Sequence, residues 1–283
     1  MTKFRQYVVE ARKLFRKRKT MLVGIILVAL ILLCAVFADI LAPFAPDEMN
    51  VVNRLLAPSQ EHPMGTDEFG RDLFSRVVFG ARYTLLVALC VVLIAVGFGM
   101  FFGLVAGYFS KLDSVVMRIM DGLMAFPGTV LAIAMMGAMG PSMLNVIVAL
   151  GIVYMPRVAR VVRSYILSIR EMQYVEAAKS IGAKSPRVVL RHILPNCISP
   201  IIVQASFIFS YAILGESALS FLGVGVPATL PSWGNILSDG RIYMQIAPWL
   251  TLLPGLMIML TVLGLNMIGD GLRDGIDPRL KTR

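Results

Sequence analysis

Residues Tyr174 to Pro195 read YVEAAKSIGAKSPRVVLRHILP. Glu176, Ala177 and Ala178 stand in an alanine-rich run that favours helix. Gly182 follows where that helix would end in the left-handed conformation that glycine adopts at little cost. Ser185 then offers an N-cap and Pro186 a first-turn proline, so a second helix starts at once, runs through Arg187–Leu194 and stops before Pro195. At about 1.5 Å per residue each piece is roughly 14 Å long, too short to cross a bilayer core of about 30 Å. Lys179, Lys184, Arg187 and Arg191 make the pair basic, which places it on the cytoplasmic side of a membrane.

The chain around this platform is built for a bilayer. Its 283 residues are 57% hydrophobic and 16% charged, with a mean hydropathy of +0.77, against roughly 25% charge in soluble domains. A net charge of +10 would suggest nucleic acid in a soluble protein. Here it follows from lysine and arginine in cytoplasmic loops, and no nucleic-acid partner is expected. Cys34, Cys90 and Cys197 lie in or beside apolar runs without CxxC spacing and read as small core residues. His62 and His192 fall on opposite sides of the expected membrane, so no metal site is expected from them.

In order, residues 1–20 hold eight Lys or Arg against Glu10 alone, interleaved with Val8, Val9, Leu14 and Phe15. They read as an amphipathic helix on the inner leaflet. Residues 21–38 form a first span rather than a cleaved signal, since no small-residue cleavage site follows. Residues 39–82 carry seven acids against four bases and are expected outside. Within them Leu73, Phe74, Val77, Val78 and Ala81 share one helical face, expected to lie at the outer interface. A core follows over 83–270. Its second span, Tyr83 to Tyr108, is free of charge and has glycine at 99, 103 and 107, a face for internal packing or for another subunit. A short loop with Lys111 and Arg118 leads to a third span, Met120–Met139, broken at Pro127-Gly128, and a fourth, Met143–Val158. The platform lies in a loop over 157–198. A fifth span, Ser199–Leu222, is expected to be interrupted at Gly215-Glu216, with Trp233-Gly234-Asn235 in an outer loop. A sixth, Ile246–Ile268, carries a kink at Pro254 before a tail over 271–283. This topology puts all 27 Lys and Arg residues except Arg54, Arg71, Arg76, Arg82 and Arg241 on one side, with both termini cytoplasmic.

Three groups of residues carry a resemblance. Glu176-Ala177-Ala178, Gly182 and Leu194-Pro195, at these spacings, resemble the cytoplasmic loop of permease subunits in binding-protein-dependent ABC importers. The one departure is His192, where the pattern has isoleucine; Ile193 follows one place later, which touches a packing detail of the second helix. His62-Pro63-Met64-Gly65-Thr66-Asp67 with Gly70-Arg71-Asp72, and Glu216 to Gly223 with Pro231-Ser232-Trp233-Gly234, resemble C-type permeases of peptide and nickel importers. The resemblance runs from Pro63 to about Arg279. It implies an all-α polytopic protein with six transmembrane helices in the type I ABC importer permease fold.

The chain has no GxxxxGK[ST] loop, no Ser-His-Asp set and no HExxH. It is expected to be no enzyme and to bind no cofactor, with ATP and Mg held by partner subunits. The resemblance implies two cytoplasmic ATPase subunits, a homologous B-type permease, an extracytoplasmic substrate-binding protein and a place in a bacterial or archaeal cytoplasmic membrane. It marks Tyr174, Glu176, Ala177, Ala178, Ser180, Gly182 and Ala183 for ATPase docking, and Arg187, Leu194 and Pro195 as loop support. The implied cargo is a dipeptide or oligopeptide, with a nickel chelate as the alternative. A membrane scaffold and an ion-coupled carrier are the rivals from other classes, the carrier disfavoured by spans almost free of ionisable groups. Glu216 and the terminal Asp270 are the exceptions. Glu216 reads either as lining a substrate route or as lying near the outer end, hydrogen-bonded to neighbouring backbone or to Ser217.

Overall fold

Glycine at every fourth position sets the centre of the bundle. The computed structural model describes residues 19–276. The helix α1 (Lys19–Val36) is followed, after a long loop, by α2 (Leu73–Tyr108). A Cβ on Gly99 would meet Val158 Cβ at 2.5 Å, on Gly103 Val162 Cβ at 2.7 Å, and on Gly107 Ile166 Cβ at 2.8 Å. The glycine face therefore serves internal packing against α5 (Met143–Ile169). Gly151 on α5 takes Ile94 of α2 in the same way. Numbers rise together along both helices, so α2 and α5 run parallel.

Parallel neighbours require a return crossing between them. It is made by α3 (Ser110–Met124) and α4 (Gly128–Met139), bent by 87° at their junction. Helix α4 runs antiparallel to α5: a Cβ on Gly128 would touch Val153, and Asn145 Nδ2 donates to Met139 O at 2.8 Å. The expected loop at Lys111 and Arg118 is thus helix, and the third span is a broken one. Among the described residues five helices are long and apolar enough to cross a membrane, and the bent pair makes six. The last two are α8 (Leu194–Phe221) and α10 (Trp249–Ile276). Helix α10 packs against α1, with Gly271 over Met21 and Gly264 over Val28. Lys19 and Ile276 therefore lie at one end of the bundle. The amphipathic helix expected over 1–20 and the tail past 276 fall outside the described residues, apart from Lys19 and Thr20, which open α1.

Four boundaries differ from the sequence reading, each for a packing reason. The face of Leu73, Val77, Val78 and Ala81 is buried inside the chain, with Phe74 half-buried, and is the start of α2 rather than an interfacial helix. Trp233 covers it, fully buried, its Nε1 donating to Val77 O at 2.9 Å. That tryptophan opens a helix, α9 (Trp233–Gly240), capped by Ser232, where an outer loop was expected. The fourth span does not end at Val158; α5 continues through Arg157, Arg160 and Arg163 to Ile169. Nor is α8 interrupted at Gly215, where a Cβ would meet Tyr154 Oη at 2.8 Å: the glycine admits α5 instead of breaking the helix.

Candidate functional site

The platform comprises α6 (Gln173–Ser180) and α7 (Ser185–Val188). Gly182 has φ +80°, and Ala183 N–H donates to Ala178 O at 3.1 Å across it. This is a Schellman closure, with glycine in the left-handed position that other residues occupy at a cost. A Cβ on Gly182 would meet nothing within 4 Å. Lys184, extended at ψ 148°, precedes α7, so Ser185 is its first residue and not its cap.

The second helix does not stop before Pro195. Val189–Ile193 form a π turn, with Leu194 N–H donating to Val189 O, and lead straight into α8. Proline lacks an N–H and its ring crowds the carbonyl one turn back. A wider turn just before it relieves that crowding and keeps the helix continuous. The second platform helix and the span are one rod.

One side of the platform is buried and the other open. Val175 of α6 and Val188 of α7 pack with Ile193, Cys197, Ile166 and Ile169, and Ala178 of α6 is also buried. Asn196 Nδ2 donates to Tyr174 Oη at 3.3 Å and to His192 O at 2.6 Å, tying α6 to the start of α8. Tyr174, Glu176, Ala177, Ser180 and Gly182 are exposed, Ala183 is half-buried, and Ile181 is 86% exposed at the tip. Of the residues expected to support the loop, Arg187 and Pro195 are exposed and Leu194 half-buried. Ala178, expected in the docking set, belongs mainly to the buried side at 8% exposure. The arrangement can take a partner on the open face and pass displacement to α5 and α8 through the apolar one.

Glu216 is 0% exposed near the opposite end of α8. Ser220 Oγ donates to it at 2.8 Å and Ser217 Oγ at 3.4 Å, and the hydroxyls of Ser232 and Thr84 complete the pocket. Thr84 Oγ1 also accepts from Trp233 N at 3.2 Å, so the pocket joins α2, α8 and α9. The carboxylate lines no open surface of this chain.

The same end holds a charge cluster that the sequence offered only as a turn-rich loop. Asp67 Oδ2 accepts from Arg71 Nε at 2.6 Å and lies 3.1 Å from Arg76. Asp239 of α9 sits 3.2 Å from Arg76 and 3.6 Å from Arg71. His62 Nδ1 lies 2.9 Å from Asp72, whose other oxygen caps α2 by accepting from Ser75 N at 2.7 Å. Burial raises Glu68 above the usual carboxylate range and pushes Asp239 up to about 6 against the pull of Arg71. The repeated charges at 67, 71, 72 and 76 were visible in the sequence; their burial beneath Asp239 was not.

Comparison with known proteins bears on all of this. Residues 95–282 match the family described as binding-protein-dependent transport system inner membrane components. Residues 6–58 match the N-terminal TM domain of oligopeptide transport permease C. The dipeptide transport system permease protein DppC of Alkalihalophilus pseudofirmus is 48% identical over 274 residues, covering 96% of this chain and 90% of that protein. The di/tripeptide transport system permease protein DppC of Pseudomonas aeruginosa is 41% identical over 275 residues, covering 95% and 91%. A chain of the MetNI methionine ABC transporter, in an inward-facing conformation, superposes with a TM-score of 0.59 at 19% identity, covering 71% of this chain and 97% of that one.

Proposed function

Because the chain belongs to the family of binding-protein-dependent transport system inner membrane components, we propose that it is the C-type permease subunit of a peptide importer. It forms half of a translocation pathway for dipeptides or oligopeptides, beside a homologous B-type permease. Two ATPase subunits hold the ATP and Mg and grip the open face of α6 in the cytoplasm. A substrate-binding protein delivers cargo to the opposite end, which lies outside the cytoplasmic membrane. The names of the relatives favour peptides over a nickel chelate. The chain itself catalyses nothing and binds no cofactor.

The observation that carries this reading is the platform. An apolar residue 86% exposed at Ile181, just past the end of a helix whose other face is welded to two spans, suits a contact that must both bind and push. ATP binding draws the ATPases together, the continuous rod of α7 and α8 follows, and the pathway changes the side to which it opens.

Reconstitution tests it. Vesicles holding this chain, its paired permease and both ATPases should take up peptide only with ATP and loaded binding protein. Uptake by this chain alone on an ion gradient would refute the reading. Orientation is checked by cysteine labelling: a cysteine replacing exposed Ser59 reacts from outside intact cells and one replacing exposed Ser185 does not.

A further inference from the structure

Arg157, Arg160 and Arg163 follow one another along α5. Two of them are neutralised by α3: Arg160 Nη2 donates to Asp121 at 2.6 Å, and Arg163 pairs with Asp113. Arg157 is exposed, and no carboxylate of the described residues lies within salt-bridge distance of it. Its guanidinium instead rests on two rings, 4.9 Å from the centroid of Tyr211 and 5.9 Å from that of Tyr154. Tyr154 Oη donates to Tyr211 O at 2.9 Å and fixes the pair across α5 and α8.

The depth of this group is set by its neighbours. Gly99 of α2 packs on Met155 and Val158, so Arg157 lies level with Gly99. That is roughly 14 Å short of Tyr108 at about 1.5 Å per residue, inside the charge-free run. Val153 and Arg157 are one turn apart on the same face of α5. Val153 touches Gly128, the first residue after the 87° elbow. Residues 125–130 of that elbow are all exposed. Backbone without helical partners is not tolerated against lipid at such depth; it faces protein or a water-filled cavity. An exposed arginine held away from the bilayer surface by stacking is likewise costly against lipid.

We propose that Arg157, steadied by Tyr154 and Tyr211, receives the carboxylate of the peptide as it passes the elbow of α3 and α4. This rests on the peptide-importer reading above. A guanidinium offers paired donors to a carboxylate, and its contact with the rings leaves its N–H edge free to do so. The contact holds the cargo in register midway and opens when the bundle changes state.

The test uses the whole reconstituted transporter with saturating binding protein and two cargoes, a dipeptide and its C-terminal amide. The rate for each variant is divided by the wild-type rate for the same cargo, so that selection by the binding protein cancels. Arg157→Gln should lower free-peptide uptake by about ten-fold, the factor that one hydrogen bond to a charged group carries, and leave the amide near its wild-type rate. Arg157→Lys should recover part of the loss, and Tyr211→Phe, which keeps the ring, should cost little. Equal loss for both cargoes, or no loss for either, overturns the proposal. If the binding protein refuses the amide, the free peptide decides alone: uptake per ATP hydrolysed falls in Arg157→Gln, whereas a parallel fall in both overturns the assignment. A wild-type complex that carries no peptide at all would instead sink the importer reading, before any variant is made.

Discussion

Gly182→Arg should separate coupling from folding. Gly182 has φ +80° and nothing within 4 Å of its missing Cβ. A Cβ there meets no described atom within that distance, so neither alanine nor arginine is blocked at its first side-chain atom. The local cost is then the left-handed backbone alone, about 1–2 kcal/mol for a residue with a Cβ. That sum is small, because α6 is held from below by Val175 in the cluster of Ile166, Ile169 and Ile193. Both variants should therefore insert and be made at normal levels. Gly182→Ala adds one methyl group and should keep most uptake. Gly182→Arg bears the same strain but projects a long cation from the exposed tip beside Ile181, into the volume a docked ATPase would fill. The assay is ATP hydrolysis and peptide uptake side by side in vesicles, with complex integrity followed by size exclusion. Uptake should be lost in Gly182→Arg, with the ATPases released or no longer stimulated by loaded binding protein. Wild-type uptake and hydrolysis in Gly182→Arg would remove the platform from the coupling path. Equal loss in Ala and Arg would mean that strain, not docking, is what matters.

Gly103→Leu should fail to accumulate as folded protein, since even a Cβ lies 2.7 Å from Ala159 O and Val162 Cβ. Gly97→Leu, with nothing within 4 Å, should leave the melting temperature in detergent near wild type; similar behaviour of the two would refute the seam. Glu216→Ala strips the acceptor from Ser220 and Ser217 and should cost about 1–3 kcal/mol per group left unpaired. Glu216→Gln should cost less, and neither should change uptake per folded transporter; a selective loss of uptake would return Glu216 to the substrate route. Asp239 carries a carboxyl raised to about 6 from 3.8, so the folded state takes up this proton more readily than the unfolded one. Its share of stability is therefore greatest below the unfolded value and falls as pH rises toward 6. The thermal midpoint of Asp239→Asn minus that of wild type should grow between the two values, 3.8 and about 6, and level off above them; a difference that shrinks or stays flat within that window contradicts the burial argument.

Several features of this protein were legible in residues close together along the chain. Gly182 at the end of an alanine-rich helix predicted a left-handed residue, and the structure has one at φ +80°. Runs of apolar residues predicted the crossings, because transfer of a helix to lipid sums over its own side chains. Pro127-Gly128 predicted the break in the third. The importer fold was recognised from motifs that are themselves short. All of these are properties of a few neighbours and need no partner from elsewhere.

What tertiary structure decided concerns residues far apart. Whether Leu73 and Val77 face headgroups or protein depended on Trp233, which covers them. Whether Gly215 breaks a helix or admits one depended on Tyr154. Glu216 became a closed pocket through Thr84 and Ser232, and Asp67 a buried anion through Arg76, which Asp239 also meets. Arg157 differs from Arg160 and Arg163 in nothing that the sequence displays; it lies beside rings where they lie beside aspartates. A side chain brings its charge, size and hydrogen-bonding groups from the sequence. Its burial and its partner come from the packing of helices remote in the chain, and those two terms set the energy of a charge.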